Sequence, residues 1–557
     1  MKMAEKRFKD PVYGYISVDL NFMEIVDTSE FQRLRRIIQT SYSPLYSSAM
    51  HNRFVHSLGV FHLGKIASEQ LKKENQSKSF VASEEMERNG YLFQLACLLH
   101  DVGHAPFSHT GEEFFLGAKG EYEDLHNSVS DLVGDEIFKK DIPTDESDAA
   151  APHELMSAIV ALRNFSACFA TSEERSFFAR CIIGYCYNDD NDIGAQMKNI
   201  FINMLNSKII DVDKLDYLIR DAFVTGFDTI HIDYMRLLSS LTLYREEMTE
   251  KICLAYGKSA LSVLENVVYA HDAERKWIQS HPVVLYDGYL LHEMIRFLNQ
   301  KISSNTKKLF SEKTLSAVGE DFGDRGRIRL MSDDDIIYLS KNIYWEELGD
   351  LGKEYYARTE RKHPAWKSEA EYNALLADAG SERGKTLNSI QTTMEHLMSY
   401  TMDAEAFGGS CSINKKVLQR LNEEVDQIEK LKQTESVDDR TYRAQKKSKS
   451  AMRKVVEVLA NFAEQNRIEF DFVILTSKQF NSGFAKHDFA ELRVAFPAKE
   501  EPRVFPFKKL EVTLEPTEAG QDRAFYLFYK RGKGGLKDLD TADLIRRLIS
   551  EFTLYRL

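Results

Sequence analysis

Apolar side chains recur at intervals of three and four through the first 300 or so residues: Phe31, Leu34, Ile37 and Ile38; Phe93, Ala96 and Cys97; Ile209, Val212, Leu215, Leu218 and Ile219. That spacing gathers one apolar stripe on each segment and predicts an all-helical block, punctuated by the turn signals Tyr42-Ser43-Pro44 and Ala105-Pro106. Between about 300 and 450 the helical period persists but turns polar and charged. Here Ser332-Asp333-Asp334-Asp335 predicts a helix start, the serine capping and the acids suiting the dipole. Gly408-Gly409-Ser410 reads as a loop. From about 451 the pattern changes to β-rich runs at 470–475, 492–496 and 524–529, followed by an amphipathic helix near 541–553. The expected fold class is mainly α, in three parts: a helical core over 1–300, a helical extension over 301–450 and a small α+β domain over 451–557.

Composition narrows the class. At 557 residues, 43% of them hydrophobic, the chain is too long for one ordinary core. No apolar stretch reaches the roughly 20 residues that span a bilayer, and the polar start Met1-Lys2-Met3-Ala4-Glu5-Lys6 lacks a secretion-signal core; a cytoplasmic protein with no membrane partner is expected. Six cysteines without CxxC pairs suit reduced thiols and argue against a zinc ribbon or disulfide framework. The net charge of −13 disfavours nonspecific nucleic-acid binding by the whole surface. Against that stands one basic run, Arg440, Arg443, Lys446, Lys447, Lys449, Arg453 and Lys454, which reads as a solvated, flexible connector or as an anchor for phosphates.

The candidate chemistry lies where an apolar run starting at Tyr91 closes with Leu98-Leu99-His100-Asp101-Val102-Gly103-His104. Burying two imidazoles and a carboxylate unpaired costs several kcal/mol, so a cation or a tight hydrogen-bond network is expected there. Eight of the fifteen histidines fall between His51 and His153. Ligand-type residues follow in order: His56 in His51-Asn52-Arg53-Phe54-Val55-His56-Ser57-Leu58-Gly59, then His100-Asp101, then an acid within Asp211-Val212-Asp213-Lys214-Leu215-Asp216-Tyr217. Three helices would each bring ligands to one ion. If the helix continued through Gly103, His104 would share a face with His100. His109 and Glu112 have the spacing at which a carboxylate orients an imidazole.

These words resemble the HD superfamily of metal-dependent phosphohydrolases. Phe31 to Gln39, His51 to Val60, His100 to His109 and Val212 to Asp221 look like its deoxynucleoside triphosphate triphosphohydrolase branch, which includes bacterial dGTPases. The resemblance, over roughly residues 10–300, implies an HD helical core with metal ligands at His56, His100, Asp101 and Asp213. A His₂Asp₂ set suits one divalent ion per site (Mn, Fe, Zn, Ni, Co or Mg) with positions left open for water and phosphate oxygen. It further implies a His109–Glu112 catalytic dyad, active-site roles for His104 and His153, phosphate and sugar contacts from Arg53, Lys214 and Tyr217, and contacts around the 3′-hydroxyl from Gln39, Tyr217 and Asp221. A surface salt bridge of Lys214 with Asp211 is the plainer reading of that lysine.

The implied reaction is attack of a metal-activated water on an α-phosphate oriented by the metal and His104, with His109 protonating the departing 5′ oxygen. Its products are a deoxynucleoside and inorganic triphosphate. Relatives of this kind form dimers to hexamers, several with an activating nucleotide between subunits, so a homo-oligomer is expected. Two alternatives stand beside it: an HD nucleotidase or phosphodiesterase acting on monophosphates or cyclic nucleotides, and a dNTP-sensing regulatory protein that binds a partner or nucleic acid through the basic run.

Overall fold

The computed structural model describes residues 5–116, 122–142, 149–189, 191–208, 210–227, 231–246, 248–304, 306–378, 383–402, 412–433, 439–477, 492–498, 502–510, 525–530 and 540–553. Ile209, the predicted loop Gly408-Gly409-Ser410 and Cys411 lie outside the described residues. The chain forms two compact units: Met1–Arg275 with Leu298–Tyr344 and Asn481–Gly520, and Lys276–Phe297 with Trp345–Phe480 and Gln521–Leu557. These divisions differ from the expected cuts at 300 and 450, and the 451–557 segment contributes to both units.

The first unit is built around α1 (Arg53–Lys78) and α2 (Ser83–Leu99). Every residue of α2 from Leu92 to Leu99 is buried, as befits a helix apolar on all sides in the middle of a core. Each fully buried Phe or Leu there stabilises the fold by about 1.5–3 kcal/mol. Around them pack α3 (Pro152–Asn164), further helices at Ser172–Ile183 and Ile193–Leu205, and α4 (Val212–Thr225). Local signals set the starts: Asn52 Oδ1 accepts Val55 N at 3.3 Å to cap α1, and Asp211 Oδ1 accepts Lys214 N at 2.7 Å to cap α4.

The helix expected through Phe31–Ile38 is shorter. It runs Ser29–Arg33 and tightens to a 3₁₀ turn over Leu34–Arg36; Ile37 is extended and Ile38 bridges Asn52. Nor are the first 300 residues all helical. Glu5–Asp10 pairs antiparallel with Gly14–Asp19, burying Ile16 and Val18 on one face, and Leu241–Arg245 pairs antiparallel with Ile252–Gly257. That second hairpin extends into a four-stranded sheet because Arg493–Phe496 runs parallel to Ile252–Gly257, with Val494 opposite Tyr256, and Arg503–Pro506 pairs on its far side.

In the second unit Phe525–Tyr529 pairs antiparallel with Phe472–Thr476 and with His363–Pro364. Its core gathers Trp366, Leu421, Val456, Leu459, Phe472, Phe525 and Leu544, with Trp366 Nε1 donating to Phe525 O at 2.9 Å. The C-terminal helix runs Thr541–Thr553. The basic run belongs to a continuous helix, Asp439–Asn466, which corrects the expectation of a flexible connector. Lys446 pairs with Glu429 at 2.8 Å and Lys449 with Glu424 at 2.7 Å, both acids lying on the helix Lys415–Gln433. The two helices lie side by side and their opposite charges meet. Among the described residues no helix is long and apolar enough to cross a membrane.

Candidate metal and catalytic site

The site forms where α2 ends, against one turn of α1 and the start of α4. Helical hydrogen bonding stops at Leu99 and His100 is the terminal residue, so the helix does not persist to His104 as expected. Instead Val102 N donates to Leu99 O and His104 N to Asp101 O, two tight turns in succession. Gly103 permits them: a Cβ there would lie 2.4 Å from the Met156 and Ser157 backbone of α3.

Three donors, those of His56, His100 and Asp213, lie within 4.8 Å of one another, and Asp101 sits beside the two imidazoles. His56 Nε2 lies 2.9 Å from Asp213 Oδ1, 3.3 Å from His100 Nε2 and 3.6 Å from Asp101 Oδ2. His100 Nε2 lies 3.5 Å from Asp101 Oδ2 and 3.6 Å from Asp213 Oδ1. Both rings are turned by their other nitrogen: His56 Nδ1 meets Asp216 Oδ2 at 2.8 Å, and His100 Nδ1 meets Cys97 O at 2.9 Å. With Nδ1 tied to these acceptors, Nε2 is the nitrogen each ring turns inward, and once deprotonated it has the tautomer a metal requires. Burial alone would push the His56 imidazole down, yet its bonds to Asp213 and Asp216 outweigh this and raise it to about 10. Burial would likewise raise the Asp101 carboxyl, but Arg53, His100 and His56 hold it well below the usual carboxylate range. A surrounding that so favours positive charge between two imidazoles and two carboxylates fits a divalent cation.

Asp216 is the residue the sequence reading quoted without assigning. It accepts Tyr13 OH at 2.8 Å and Arg220 Nε at 2.9 Å, while Arg220 Nη1 donates to Asp10 Oδ2 at 2.9 Å. The N-terminal hairpin therefore braces α4 behind His56. Gly59 lets α4 approach α1, since a Cβ there would fall 1.8 Å from Asp216 Oδ1. The available signal was spacing: Asp213 and Asp216, three apart, share one helix face.

A second group adjoins the first. His104 and His153 stack with centroids 4.4 Å apart at 14°, and His109 lies 5.2 Å from the former and 5.0 Å from the latter. Glu112 serves two rings: Oε1 lies 3.4 Å from His109 Nδ1, and Oε2 is hydrogen-bonded to His153 Nδ1. His153, at the start of α3, thus joins the expected dyad. His109 is exposed, whereas His153 is half-buried and there the Glu112 bond outweighs burial and raises the imidazole. Burial would raise the Glu112 carboxyl, but those two histidines hold it well below its ordinary range. His104 is fully buried, and both its ring nitrogens lack hydrogen-bond partners among the described residues. Burial, reinforced by Arg53, His153 and His109, drives its imidazole well below the usual range, so the ring is neutral. Asp101 links the groups, with Oδ1 3.6 Å from His104 Nε2.

The expected substrate contacts are already engaged to differing degrees. Arg53 gives Nη1 to Asp101 Oδ2 at 2.7 Å and Nε to Ser108 Oγ at 2.9 Å. Lys214 Nζ donates to Asp211 Oδ2 at 2.6 Å and Ser207 O at 2.7 Å, so the plainer salt bridge does form. Asp221 Oδ1 sits 2.7 Å from His51 Nε2. Tyr217 is half-buried. Gln39 is buried with its Oε1 unpartnered among the described residues.

Residues 53–166 match the HD domain family. The chain is 29% identical over 298 residues to the uncharacterized protein YwfO of Bacillus subtilis, covering 53% of this chain and 56% of that one. It is 28% identical over 253 residues to the deoxynucleoside triphosphate triphosphohydrolase SAMHD1 homolog of Dictyostelium discoideum (45% of this chain, 42% of that one). The chain spans about half the length of the curated relatives it matches. A crystal structure of a hypothetical protein from Aquifex aeolicus, 19% identical, shares the fold with a TM-score of 0.51 over 95% of this chain and 97% of that one.

Proposed function

We propose that this HD-domain chain is a metal-dependent phosphohydrolase that cleaves deoxynucleoside triphosphates to a deoxynucleoside and inorganic triphosphate. The observation that carries the reading is a cluster of metal-type donors, His56, His100 and Asp213, flanked by a carboxylate, Asp101, that also neighbours a buried histidine, His104, whose two nitrogens have no hydrogen-bond partner among the described residues. Buried polar atoms are rarely left orphaned, and an orphaned imidazole beside a cation site awaits a ligand oxygen.

His56, His100, Asp101 and Asp213 would hold the cation, which when bound supplies Lewis acidity and an activated water. Asp216 and Cys97 O keep the two ligating rings in register. His104, held neutral, orients the phosphate through a ring nitrogen. Glu112 fixes His109 and His153 by their Nδ1 atoms and leaves each Nε2 for the ligand. His109 then passes its Nε2 proton to the departing 5′ oxygen while its Nδ1 takes one from Glu112, which receives it from the protonated His153 ring. Tyr217 against the sugar, with Gln39 and Asp221 near its 3′-hydroxyl, would favour a 2′-deoxy sugar. The test is incubation of purified protein with each dNTP, alone and mixed, with Mg²⁺, Mn²⁺ or Co²⁺, and chromatographic separation of products. Inorganic triphosphate supports the reading. Orthophosphate from a monophosphate replaces it with the nucleotidase alternative, and dNTP binding without turnover replaces it with the sensor.

A further inference from the structure

Between His104 and His109 the backbone does something costly: Phe107 and Ser108, neither a glycine, both adopt left-handed conformations, with φ of 58° and 56°. Such a pair persists only where the surroundings over-determine it. Two side chains outside both histidine groups supply that constraint. Asp333 Oδ1 accepts Phe107 N at 2.6 Å, and its Oδ2 accepts Ile38 N at 2.7 Å. Arg33, buried, gives Nη2 to Val102 O at 3.0 Å and His104 O at 2.8 Å, and Nη1 to Met331 O at 2.8 Å. The helix that starts at Asp333 does not need this carboxylate for its own cap, because Ser332 N and Oγ both donate to Asp335 Oδ2, at 2.8 and 2.9 Å. Asp333 is therefore committed elsewhere. It joins the turn to the segment bearing Gln39, while Ser108 Oγ donates to Ile38 O at 2.5 Å and accepts Arg53 Nε at 2.9 Å.

We propose that Asp333 and Arg33 are positioning residues for the hydrolytic site: they clamp the left-handed turn at Phe107–Ser108 and so fix His104 against His109. The role given to those histidines rests on the proposed hydrolysis; the clamp itself does not. The bonds of both side chains go to backbone atoms. Loss of the clamp therefore misorients reacting groups without removing uniform binding, which lowers kcat and spares KM.

The experiment uses the metal-loaded full chain and the variants Asp333→Ala, Asp333→Asn, Arg33→Lys and Phe107→Gly. Asp333→Ala is expected to lower kcat about 10- to 100-fold with KM and metal content unchanged. Asp333→Asn, keeping one acceptor oxygen, is expected to fall between it and the wild type. In the Phe107→Gly background, where a left-handed turn is free of side-chain strain, Asp333→Ala should cost less than in the wild type. A second readout needs no substrate: diethyl pyrocarbonate modification of the buried His104, mapped by peptide mass spectrometry. Asp333→Ala and Arg33→Lys should speed it several-fold at an unchanged extent of folding. Wild-type modification rates in the folded Asp333→Ala protein overturn the clamp, as does a loss that appears in KM alone. Should that variant not fold, Asp333→Asn carries the same two outcomes. If the wild type hydrolyses no dNTP, the functional reading fails while the modification rates still decide the clamp.

Discussion

The two histidine groups lie side by side, share Asp101, and differ at one ring, His104. In the first, each ring has its outer nitrogen tied to an acceptor and its inner nitrogen facing carboxylates, and positive charge is favoured. In the second, His104 has no hydrogen-bond partner on either nitrogen among the described residues, and burial drives it towards the neutral form, while Glu112 ties His109 and His153. The contrast teaches how one residue type does two jobs within a few ångströms. Carboxylates in contact make a cation seat; at His104 the nearest carboxylate, Asp101, stays at 3.6 Å, beyond hydrogen-bond reach, and the ring is left to find its partner in a ligand.

Breaking the first group should have the largest effect. His100→Ala or Asp101→Ala removes a donor, and both bound metal and turnover are expected to drop to background by elemental analysis and product chromatography. Breaking the second should separate the two: His109→Ala is expected to lose about 10²- to 10⁴-fold in turnover with metal content unchanged. A fully active His109→Ala would remove it from the mechanism. Asp216→Asn sharpens the division further. It leaves all four donors in place but loosens His56, so metal affinity should weaken about 10- to 100-fold in a competitive chelator titration.

The smallest effect lies outside both groups. Burial pushes the Asp333 carboxyl up to about 7 against its backbone donors. A folded value above the unfolded one means the native state binds more protons between about pH 4 and 7, so this group's contribution to stability is greatest at acid pH and declines as pH rises through 7. The destabilisation by Asp333→Asn should therefore be larger at pH 5 than at pH 8 in paired urea melts; equal costs at both pH values would contradict it.

The site was legible in the sequence to the extent that its donors sit within contiguous words. His100-Asp101 ends an apolar run, and His56 and Asp213 each lie near the start of a helix. What spacing could not show is contact between distant words. Nothing local reveals that Glu112 also reaches His153 on α3, that Tyr13 reaches Asp216, or that Asp333 reaches Phe107, across 41, 203 and 226 positions. The helical character of the core was readable because a period of 3.6 repeats over many residues. The hairpin at Glu5–Asp19 was missed, being too short for its alternation to stand out, and Arg493–Phe496 was correctly read as extended while its partner strand, Ile252–Gly257, could not be inferred. Asp333 was read as serving the helix dipole, and its structural partners are two backbone amides elsewhere.

The claim on which the account turns is that His56, His100, Asp101 and Asp213 grip a single divalent ion. Inductively coupled plasma mass spectrometry on chelator-stripped protein, reloaded with Mn²⁺ and desalted, tests it most directly with wild type and Asp213→Ala in parallel. The account predicts about one ion per wild-type chain and none retained by the variant. Equal retention by both proteins, or none by the wild type, would contradict it.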